Sequence, residues 1–368
     1  MRIGVFYGLA GIDALAADWR ALFDQLDRPG YVHLWEWHRC YLESELFDPE
    51  SALFCAAYDG DRLMAVLPLL REVKSLLGVP VRLLVLPLNS HTPHADIIAD
   101  PRAQADLDLP RILHLLRTDL GEPWDVVRLG LTLEDSILNA AMREMRNSGR
   151  NLLTMTYQES TSNAIKIAPY DEMFARFSRN FRGSLRNARN RLAKLEGVEF
   201  RVARSPAELE EAFPRFLAVE ASGWKGKAGT AIQCDSRHQA FYSGYVKHLG
   251  PKGRCRIDLL MHGKRVMAGQ LALVVGDRLY SFKIGYDESY KREAPGTLLQ
   301  ERVLQELAED PHIRYMDLIS NQKAQQHWRP LHRRVFMHYL CRAAPRGALF
   351  WVAMRTRHAW RFATGKAS

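Results

Sequence analysis

Several common catalytic signatures are missing from this sequence. It contains no GxGxxG after a predicted strand, no GxxxxGK[ST], no HExxH and no GxSxG. Dinucleotide, P-loop, zincin and serine-hydrolase chemistry therefore lose the motifs that usually carry them. The five cysteines form no CxxC pair, and their odd number argues against a disulfide framework. The longest apolar runs, such as LLVLPL, are much too short to cross a bilayer.

The composition is that of a globular chain with an excess of positive charge. Its 368 residues are 47% hydrophobic and 25% charged, which is enough for two domains with their own cores. The net charge of +9 favours an anionic partner such as a phosphate compound, a nucleic acid or a membrane face. The N-terminus does not resemble a signal peptide, and the cysteine usage fits a reducing compartment, so we expect a cytoplasmic protein.

Two stretches of the chain resemble each other. DGDRLMAVLPL, at Asp59–Leu69, and HGKRVMAGQLAL, at His262–Leu273, both place a turn glycine before Arg, an aliphatic residue, Met and Ala. In each case a further strand, a helix and another strand follow, which favours duplication. Alternating strands and helices with hairpins predict an α/β fold with mixed sheets, built as two tandem domains with a cleft between them. We place the domains at residues 1–160 and 161–345, followed by a basic amphipathic tail at residues 346–368.

The stretch LYSFKIGYDESYKREAPGTLLQERVLQELAE predicts a strand, a loop and an amphipathic helix. Pro295 suits the first turn of a helix, and Gly296 allows a ligand to approach the backbone closely. The start of a helix presents N–H groups and partial positive charge, which suit phosphate. The predicted phosphate-binding residues, with the nearby basic side chains, are Lys283, Lys291, Arg292, Pro295, Gly296 and Thr297. An ordinary surface loop is the alternative.

This strand, basic loop, glycine and helix resemble the carrier-binding motif of the GNAT superfamily. The segments NFRGSLRNARNRLAKLEGVEF, VEASGWKGKAGT, FKIGYDESYKREAPGTLL and MDLISNQKAQQHW occur in the order found in its CelD-like and Fem-type branch. The resemblance covers roughly residues 170–330. It implies an N-acyltransferase that moves an acyl group, such as acetyl, from acyl-CoA to an amine, without a metal. It also implies as acceptor an amino sugar or another surface-polysaccharide precursor.

Direct attack on a thioester needs a neutral amine, so a proton acceptor helps. Glu220 and Asp287 are the candidate bases, and Tyr286 is the candidate acid for the leaving thiolate. Trp224, Lys225, His327 and Trp328 are the candidate acceptor-binding residues. Each of these residues also has a structural alternative, namely a helix cap, a salt bridge or core packing.

Three further features leave alternatives open. Arg179, Arg182, Arg186 and Arg189 share one helical face, which is either a solvated surface or a surface for an acyl-carrier protein, tRNA or coenzyme A. His91 and His94 with Asp96 lack a further ligand for a metal and are expected to form a polar loop. The basic aromatic tail is either a packed final helix or a peripheral contact with the inner membrane face. An aminoacyl-tRNA-dependent transferase and a non-catalytic protein that binds an anionic partner are the rival functions.

Overall fold

The computed structural model describes residues 2–89, 91–102, 109–118, 120–145 and 152–363, with only the backbone at 224–225 and 361–363. The chain forms two compact units. The first unit comprises Met1–Ser162 and Arg333–Ser368, and the second comprises Asn163–His332. The division after Ser162 lies close to the predicted boundary at residue 160. The chain returns to the first unit at Arg333 rather than leaving a separate tail after 345, because residues 335–341 pair with an internal strand of that unit.

The first unit is a mixed α/β structure. Its strands are β1 (Arg2–Tyr7), β2 (Ala52–Asp59), β3 (Arg62–Leu76), β4 (Val79–Val85), β5 (Ile98–Ala99), β6 (Val126–Leu133), most of β7 (Leu152–Lys166) and most of β13 (Leu331–Arg342). Its helices are α1 (Gly8–Ala14), α2 (Ala16–Phe23), α3 (Trp35–Glu43), α4 (Leu109–Thr118), α5 (Ile137–Met145) and α12 (Pro345–Ala363). The amphipathic pattern of residues 12–25 predicts a single helix there, whereas the structure contains two helices, α1 and α2. The sequence also predicts a helix over residues 107–119, of which 107, 108 and 119 lie outside the described residues, as do residues 364–368 of the predicted tail.

The second unit contains the rest of the elements. Its strands are the end of β7, then β8 (Val198–Ala203), β9 (Cys255–His262), β10 (Arg265–Val275), β11 (Arg278–Tyr286) and β12 (Tyr315–Asp317), with the first residues of β13. Its helices are α6 (Tyr170–Arg176), α7 (Arg179–Leu192), α8 (Pro206–Ser222), α9 (Trp224–Lys227), α10 (Ser236–Leu249) and α11 (Pro295–Glu309).

The strand order confirms the predicted duplication. In the first unit β1, β2, β3 and β4 are antiparallel neighbours, and β4 then pairs parallel with β6. In the second unit β8, β9, β10 and β11 are antiparallel neighbours, and β11 pairs parallel with β12. The two similar hairpins occupy the same place in each unit. Gly60 and Gly263 both have φ of +57° in these turns, a conformation that favours glycine.

Each unit buries its own apolar core. In the first unit α4 and α5 contribute Leu113, Leu116 and Leu138, all fully buried against β2, β3, β4 and β6. In the second unit α11 places Val303 and Leu304 against Ala272 and Leu279 of the sheet. These contacts hold α11 along the strands that it connects, so the start of α11 is fixed relative to the end of β11.

Candidate functional site

The strands β11 and β12 separate after a short parallel ladder. Pairing runs from Arg278 opposite Tyr315 to Tyr280 opposite Asp317, and β12 ends there. Strand β11 continues to Tyr286. After Asp317 the chain turns away through Ile319, whose φ of +61° is unusual for a β-branched residue. From Ser281 to Tyr286, β11 therefore runs without a ladder to β12, and this unpaired side of β11 is the gap between the two strands.

A β-bulge lies at this divergence. In the ladder between β10 and β11, Leu271 is opposite Lys283 but Ala272 is opposite Ser281, so Phe282 is the extra residue. Phe282 lies 6.4 Å from the ring of Tyr245, and the Lys283 Nζ lies 5.7 Å from the ring of Tyr242. Because both partners are on α10, two successive side chains point to the same face. The bulge therefore changes the direction of β11 next to the gap.

The turn between β11 and α11 matches the predicted phosphate-binding segment. The 3-10 segment Glu288–Glu293 leads to Ala294, which has φ of +50°, and Pro295 occupies the first turn of α11. In the part of the chain that the structure describes, no side chain caps this helix start. Lys291 and Arg292 are exposed, and Gly296 is partly exposed. The turn therefore presents the two cations and the partly exposed backbone of Gly296 to solvent, which suits an anion. Pro295 is buried and has no N–H, and the N–H of the partly exposed Thr297 donates to the Ala294 carbonyl at 3.0 Å.

Glu220 lies next to the same strand. A Cβ atom on Gly285 of β11 would be only 2.5 Å from the Glu220 Cα, so the missing side chain lets α8 approach the strand. Glu220 is 2% exposed, and its Oε2 accepts a 2.9 Å hydrogen bond from the Ile232 N–H. Burial, with a smaller contribution from the charge of Glu220, raises the pKa of Tyr242 well above its usual value. The carboxylate is thus placed beside the bulge, and its role as a base stays a prediction.

Asp287 has a structural role in the turn. Its Oδ1 accepts from the Ser289 N–H at 2.9 Å, and its Oδ2 pairs with Arg265 at 2.7 Å. Burial favours a raised pKa, but the hydrogen bonds from Ser289 and the charge of Arg265 outweigh it, so the pKa of Asp287 is lowered. A carboxylate with a lowered pKa is a weaker proton acceptor. These contacts make Asp287 the poorer of the two predicted bases.

Tyr286 and Gly296 come together at the start of α11. A Cβ atom on Gly296 would lie 3.5 Å from the Tyr286 Cδ1, which is ordinary contact distance. The side chain of Tyr286 also packs against the apolar cluster that includes Leu298. Tyr286, the predicted acid, therefore lies at the end of β11 and packs against the first turn of α11.

The predicted acceptor-binding residues are divided by the structure. Trp328 is 4% exposed and packs edge-to-face against Phe177 and Phe181 at 5.5 and 5.0 Å, so it belongs to the core. The ring of His327 is stacked on Phe181 at 5.2 Å, although the residue is exposed. These contacts correct the predicted role of Trp328 in binding to one in packing. The side chains of Trp224 and Lys225 lie outside the described residues.

The predicted basic face of α7 is partly neutralised within the protein. Arg189 forms a two-point ion pair with the buried carboxylate of Glu301, at 2.6 and 2.9 Å, and also donates to the Tyr170 hydroxyl. Arg189 is therefore a structural residue that joins α7 to α11. Arg179 and Arg186 remain exposed on this helix, and Arg182 is partly exposed.

A chain of hydrogen-bonded polar side chains, most of them buried, leads to the strand residue next to the bulge. Arg256 pairs with Asp258 at 2.7 Å, Asp258 accepts from Gln270 at 3.2 Å, and the Ser281 hydroxyl donates to Gln270 at 2.9 Å. Glu306 of α11 closes the chain by pairing with Arg256 at 2.7 Å. Since each member is hydrogen-bonded to the next, the network connects α11 to Ser281 of β11, the residue before the bulge. The sequence contains no local signal for these long-range pairs.

The loop with His91 and His94 is buried in the first unit. Asp96 accepts hydrogen bonds from the backbone of Ile137 and Leu138 at 3.0 and 2.9 Å, so it binds the start of α5. His33 lies 3.4 Å from the same carboxylate. Among the described residues, no group of three or more His, Cys, Asp or Glu side chains is arranged to hold a metal ion. Asp96 thus serves as a structural cap.

Comparison with known proteins agrees with this geometry. Residues 179–328 match the family model of an acetyltransferase (GNAT) domain. The crystal structure of FemX has 11% identity and a TM-score of 0.58 over 88% of this chain and 95% of its own. L-PGS from Bacillus licheniformis has 13% identity and a TM-score of 0.52 over 91% and 95%. These two likenesses concern the fold. No similar protein was found among curated sequences.

The matched region contains the bulge, the exposed turn and α11. The resemblance to the GNAT superfamily is thereby confirmed, and the chain is an acyltransferase that carries a GNAT domain in its second unit. No helix in the described ranges is long and apolar enough to cross a membrane.

Proposed function

We propose that the protein is an N-acyltransferase that uses acyl-CoA as its donor. The coenzyme A phosphates bind at the turn formed by residues 287–297, and the thioester lies in the gap between β11 and β12. The observation that carries this proposal is that β11 continues six residues past its last pair with β12, next to the start of α11 and the exposed Lys291 and Arg292. A family match over the same residues supports acyl transfer.

The acceptor in this proposal is an amine on an amino sugar or another precursor of a surface polysaccharide. The amine nitrogen attacks the thioester carbonyl carbon, the new N–C bond forms, and the C–S bond breaks with its electron pair leaving on sulfur. The nitrogen loses one proton to a basic group of the protein or to water. In this proposal the backbone of β11 beside the bulge orients the acyl group, and Tyr286 gives a proton to the thiolate. We place the enzyme in the cytoplasm.

A contact with the inner membrane face is a further part of the proposal. Helix α12 exposes Val352 and Trp360, at 55% and 57%, close to the exposed side chains of Arg355 and Arg357. Apolar and basic side chains on one surface helix suit an anionic lipid interface. Arg361 and Lys366 of the predicted tail have no described side chains. Acyl-carrier protein and aminoacyl-tRNA are the alternative donors.

Calorimetry with acetyl-CoA, longer acyl-CoAs and charged tRNA tests the donor. We expect an acyl-CoA to bind and to raise the melting temperature, because a ligand at 100 times its Kd stabilises the folded state by about 2.7 kcal/mol. The double variant Lys291→Glu with Arg292→Glu replaces two cations by two anions at the turn. We expect its Kd for acyl-CoA to rise at least about tenfold, which corresponds to about 1.4 kcal/mol.

The matched control is Lys247→Glu, an exposed lysine in the last turn of α10. This substitution also replaces a lysine by glutamate, but at a site that is not part of the turn. The Kd for acyl-CoA should stay within about twofold of the native value, since distant exposed charges are screened. An equal loss in the control and the double variant would show general electrostatic attraction instead of a phosphate site. Binding of charged tRNA alone would replace acyl-CoA as the donor.

A further inference from the structure

A group of polar side chains surrounds the point at which the chain leaves β12. The backbone of Asn163, in β7, binds the residues that directly follow β12. Its N–H donates to the Ser320 carbonyl at 3.0 Å, and its carbonyl accepts from the Leu318 N–H at 2.9 Å. The side chain of Asn163 contacts Gln325 at 2.8 Å and His332 at 2.8 Å. His332 thus lies beside the divergence of β11 and β12, four residues beyond the region matched by the family model.

The hydrogen bonds fix which atoms of these amides are donors. The Gln322 backbone N–H can only donate, and it contacts the Gln325 Oε1 at 3.0 Å. That atom is therefore the carbonyl oxygen. The amide nitrogen of Gln325 then donates to the Leu318 carbonyl at 3.3 Å, as it must. The Asn163 atom that contacts the same oxygen must be the Nδ2 donor. Its carbonyl oxygen, Oδ1, is then the atom facing His332.

The amide oxygen determines the tautomer of the imidazole. The Asn163 Oδ1 can only accept a hydrogen bond, so the His332 Nδ1, 2.8 Å away, must carry a hydrogen. In a neutral imidazole the other nitrogen, Nε2, then has the lone pair. His332 is exposed, and its Nε2 contacts no partner among the residues that the structure describes. The result is a proton acceptor held in one orientation and open to solvent.

We infer that the His332 Nε2 accepts the proton that the acceptor amine loses during acyl transfer. This inference rests on the proposed function. As the nitrogen bonds to the acyl carbon, its proton passes to Nε2 directly or through one water. The thiolate that leaves is protonated by a protein group or by water, and the imidazolium returns its proton to solvent. One amide and one thiol are formed, so atoms and charge balance.

His332 fits this task better than the carboxylates predicted from the sequence. Glu220 is 2% exposed, and Asp287 is engaged by Ser289 and Arg265. A neutral imidazole nitrogen with a lone pair within reach of the substrate can act as a general base. Asn163 acts as a positioning residue, because it holds the ring through Nδ1 and leaves Nε2 for the substrate. Gln325 and Gln322 hold Asn163 in turn.

NMR of the whole protein with 15N-labelled histidine tests the tautomer without any substrate. The His332 signals are assigned by their loss in His332→Gln. We expect the neutral ring to carry its hydrogen on Nδ1, whereas a free imidazole side chain favours Nε2. In Asn163→Leu the carbonyl acceptor is gone, and we expect the hydrogen to move to Nε2. An Nε2–H tautomer in the native protein overturns the inference.

Kinetics with two nucleophiles tests the proton transfer. With acetyl-CoA and glucosamine, kcat of His332→Gln should fall at least about 100-fold, as expected for the loss of a general base. With hydroxylamine, a strong nucleophile that is already neutral at pH 7, it should fall less than about threefold. The KM for acetyl-CoA should not change in either case. The matched control is His312→Gln, an exposed histidine of the same unit.

The outcomes separate the inference from the proposed function. An equal loss with both nucleophiles, or a rise in the KM for acetyl-CoA, means that His332 is structural and overturns the inference. Recovery of glucosamine transfer in His332→Ala by added imidazole supports it. If the native protein binds acetyl-CoA and transfers to neither nucleophile, the proposed function fails, and the tautomer measured by NMR still stands as a separate result.

Discussion

The two units have the same strand order, but the strand before the parallel ladder ends differently in each of them. In the first unit, β4 pairs parallel with β6 up to its last residue, Val85 opposite Arg128. Its ladder with β3 runs evenly from Leu70 to Leu76. In the second unit, β11 has a bulge at Phe282 and extends beyond its ladder with β12. A shift of one residue in register therefore accompanies the gap that we assign to the acyl donor.

The segments that follow β4 and β11 differ in how much of them is exposed. After β11 the chain forms a short exposed turn that leads directly into α11. After β4 it forms a longer segment in which His91, Thr92 and Asp96 are all buried. Asp96 binds the backbone at the start of α5, so its charge is used within the unit. The segment in the second unit thus leaves Lys291 and Arg292 exposed, whereas the segment in the first unit uses its carboxylate to bind its own backbone.

The largest effect is expected from closing the approach of α8 to β11. In Gly285→Val the added atoms collide with the backbone of Glu220, 2.5 Å from the position of a Cβ. We expect the second unit to lose about 3 kcal/mol of unfolding free energy, because its core is overpacked. Acyl transfer should fall at least about 100-fold, since a displaced strand misplaces the thioester. Urea unfolding and a coupled thiol assay measure both quantities.

Gly183→Ala provides the matched control for that variant. Gly183 lies within α7, and a Cβ there would meet nothing within 4 Å. Alanine should stabilise the helix by up to about 1 kcal/mol, because glycine is the poorer helix former. If Gly285→Val were as well tolerated as the control, close contact between α8 and β11 would not matter for the second unit.

Acid should affect the first unit through His38. Burial lowers the pKa of His38 to about 4, and this side chain bonds the Val32 carbonyl at 2.8 Å and the Tyr41 hydroxyl. In the unfolded chain a histidine has a pKa of about 6.5. Between pH 6.5 and pH 4, roughly, the unfolded state therefore binds a proton that the folded state does not. Stability is therefore full above about pH 6.5 and falls as the pH drops, by about 3 kcal/mol at pH 4.

His38→Gln sharpens this prediction, because glutamine can keep a donor for Val32 and an acceptor for Tyr41 without titrating. Urea unfolding at pH 7, 5.5 and 4 should show a smaller decline for this variant than for the native chain. His312→Gln in the second unit should leave the decline as it is, since that histidine is exposed in the folded protein. The same decline in all three proteins would remove His38 as its cause.

The smallest effect is expected at Asp287, in the turn that follows β11 of the second unit. In Asp287→Asn the amide oxygen still accepts from the Ser289 N–H, while the ion pair with the exposed Arg265 is lost. Such a pair contributes less than about 1 kcal/mol. Acyl transfer should change less than about threefold when kcat is measured. A fall of 100-fold, in the range of a lost general base, would return Asp287 to catalysis.

The sequence determined the local elements and their order. The opening residues RIGVFY predict a strand, which the structure has at Arg2–Tyr7, and both hairpins turn at the predicted glycines. Pro295 begins α11, as its place in the sequence indicated. The turn residues and apolar patterns that produce these elements are local, so they can be read without knowledge of the fold. The match of two such patterns also revealed the duplication.

Only the tertiary structure decided which side chains meet. Trp328 resembled a binding residue but is covered by Phe177, and Arg189 is paired with Glu301, which is distant in the sequence. Asn163 and His332 were not recognised at all, because 169 positions separate them and no motif joins them. The bulge at Phe282 depends on the register with β10. Pairing between distant segments is set by packing and hydrogen bonding across the whole unit, and no short stretch of sequence contains that information.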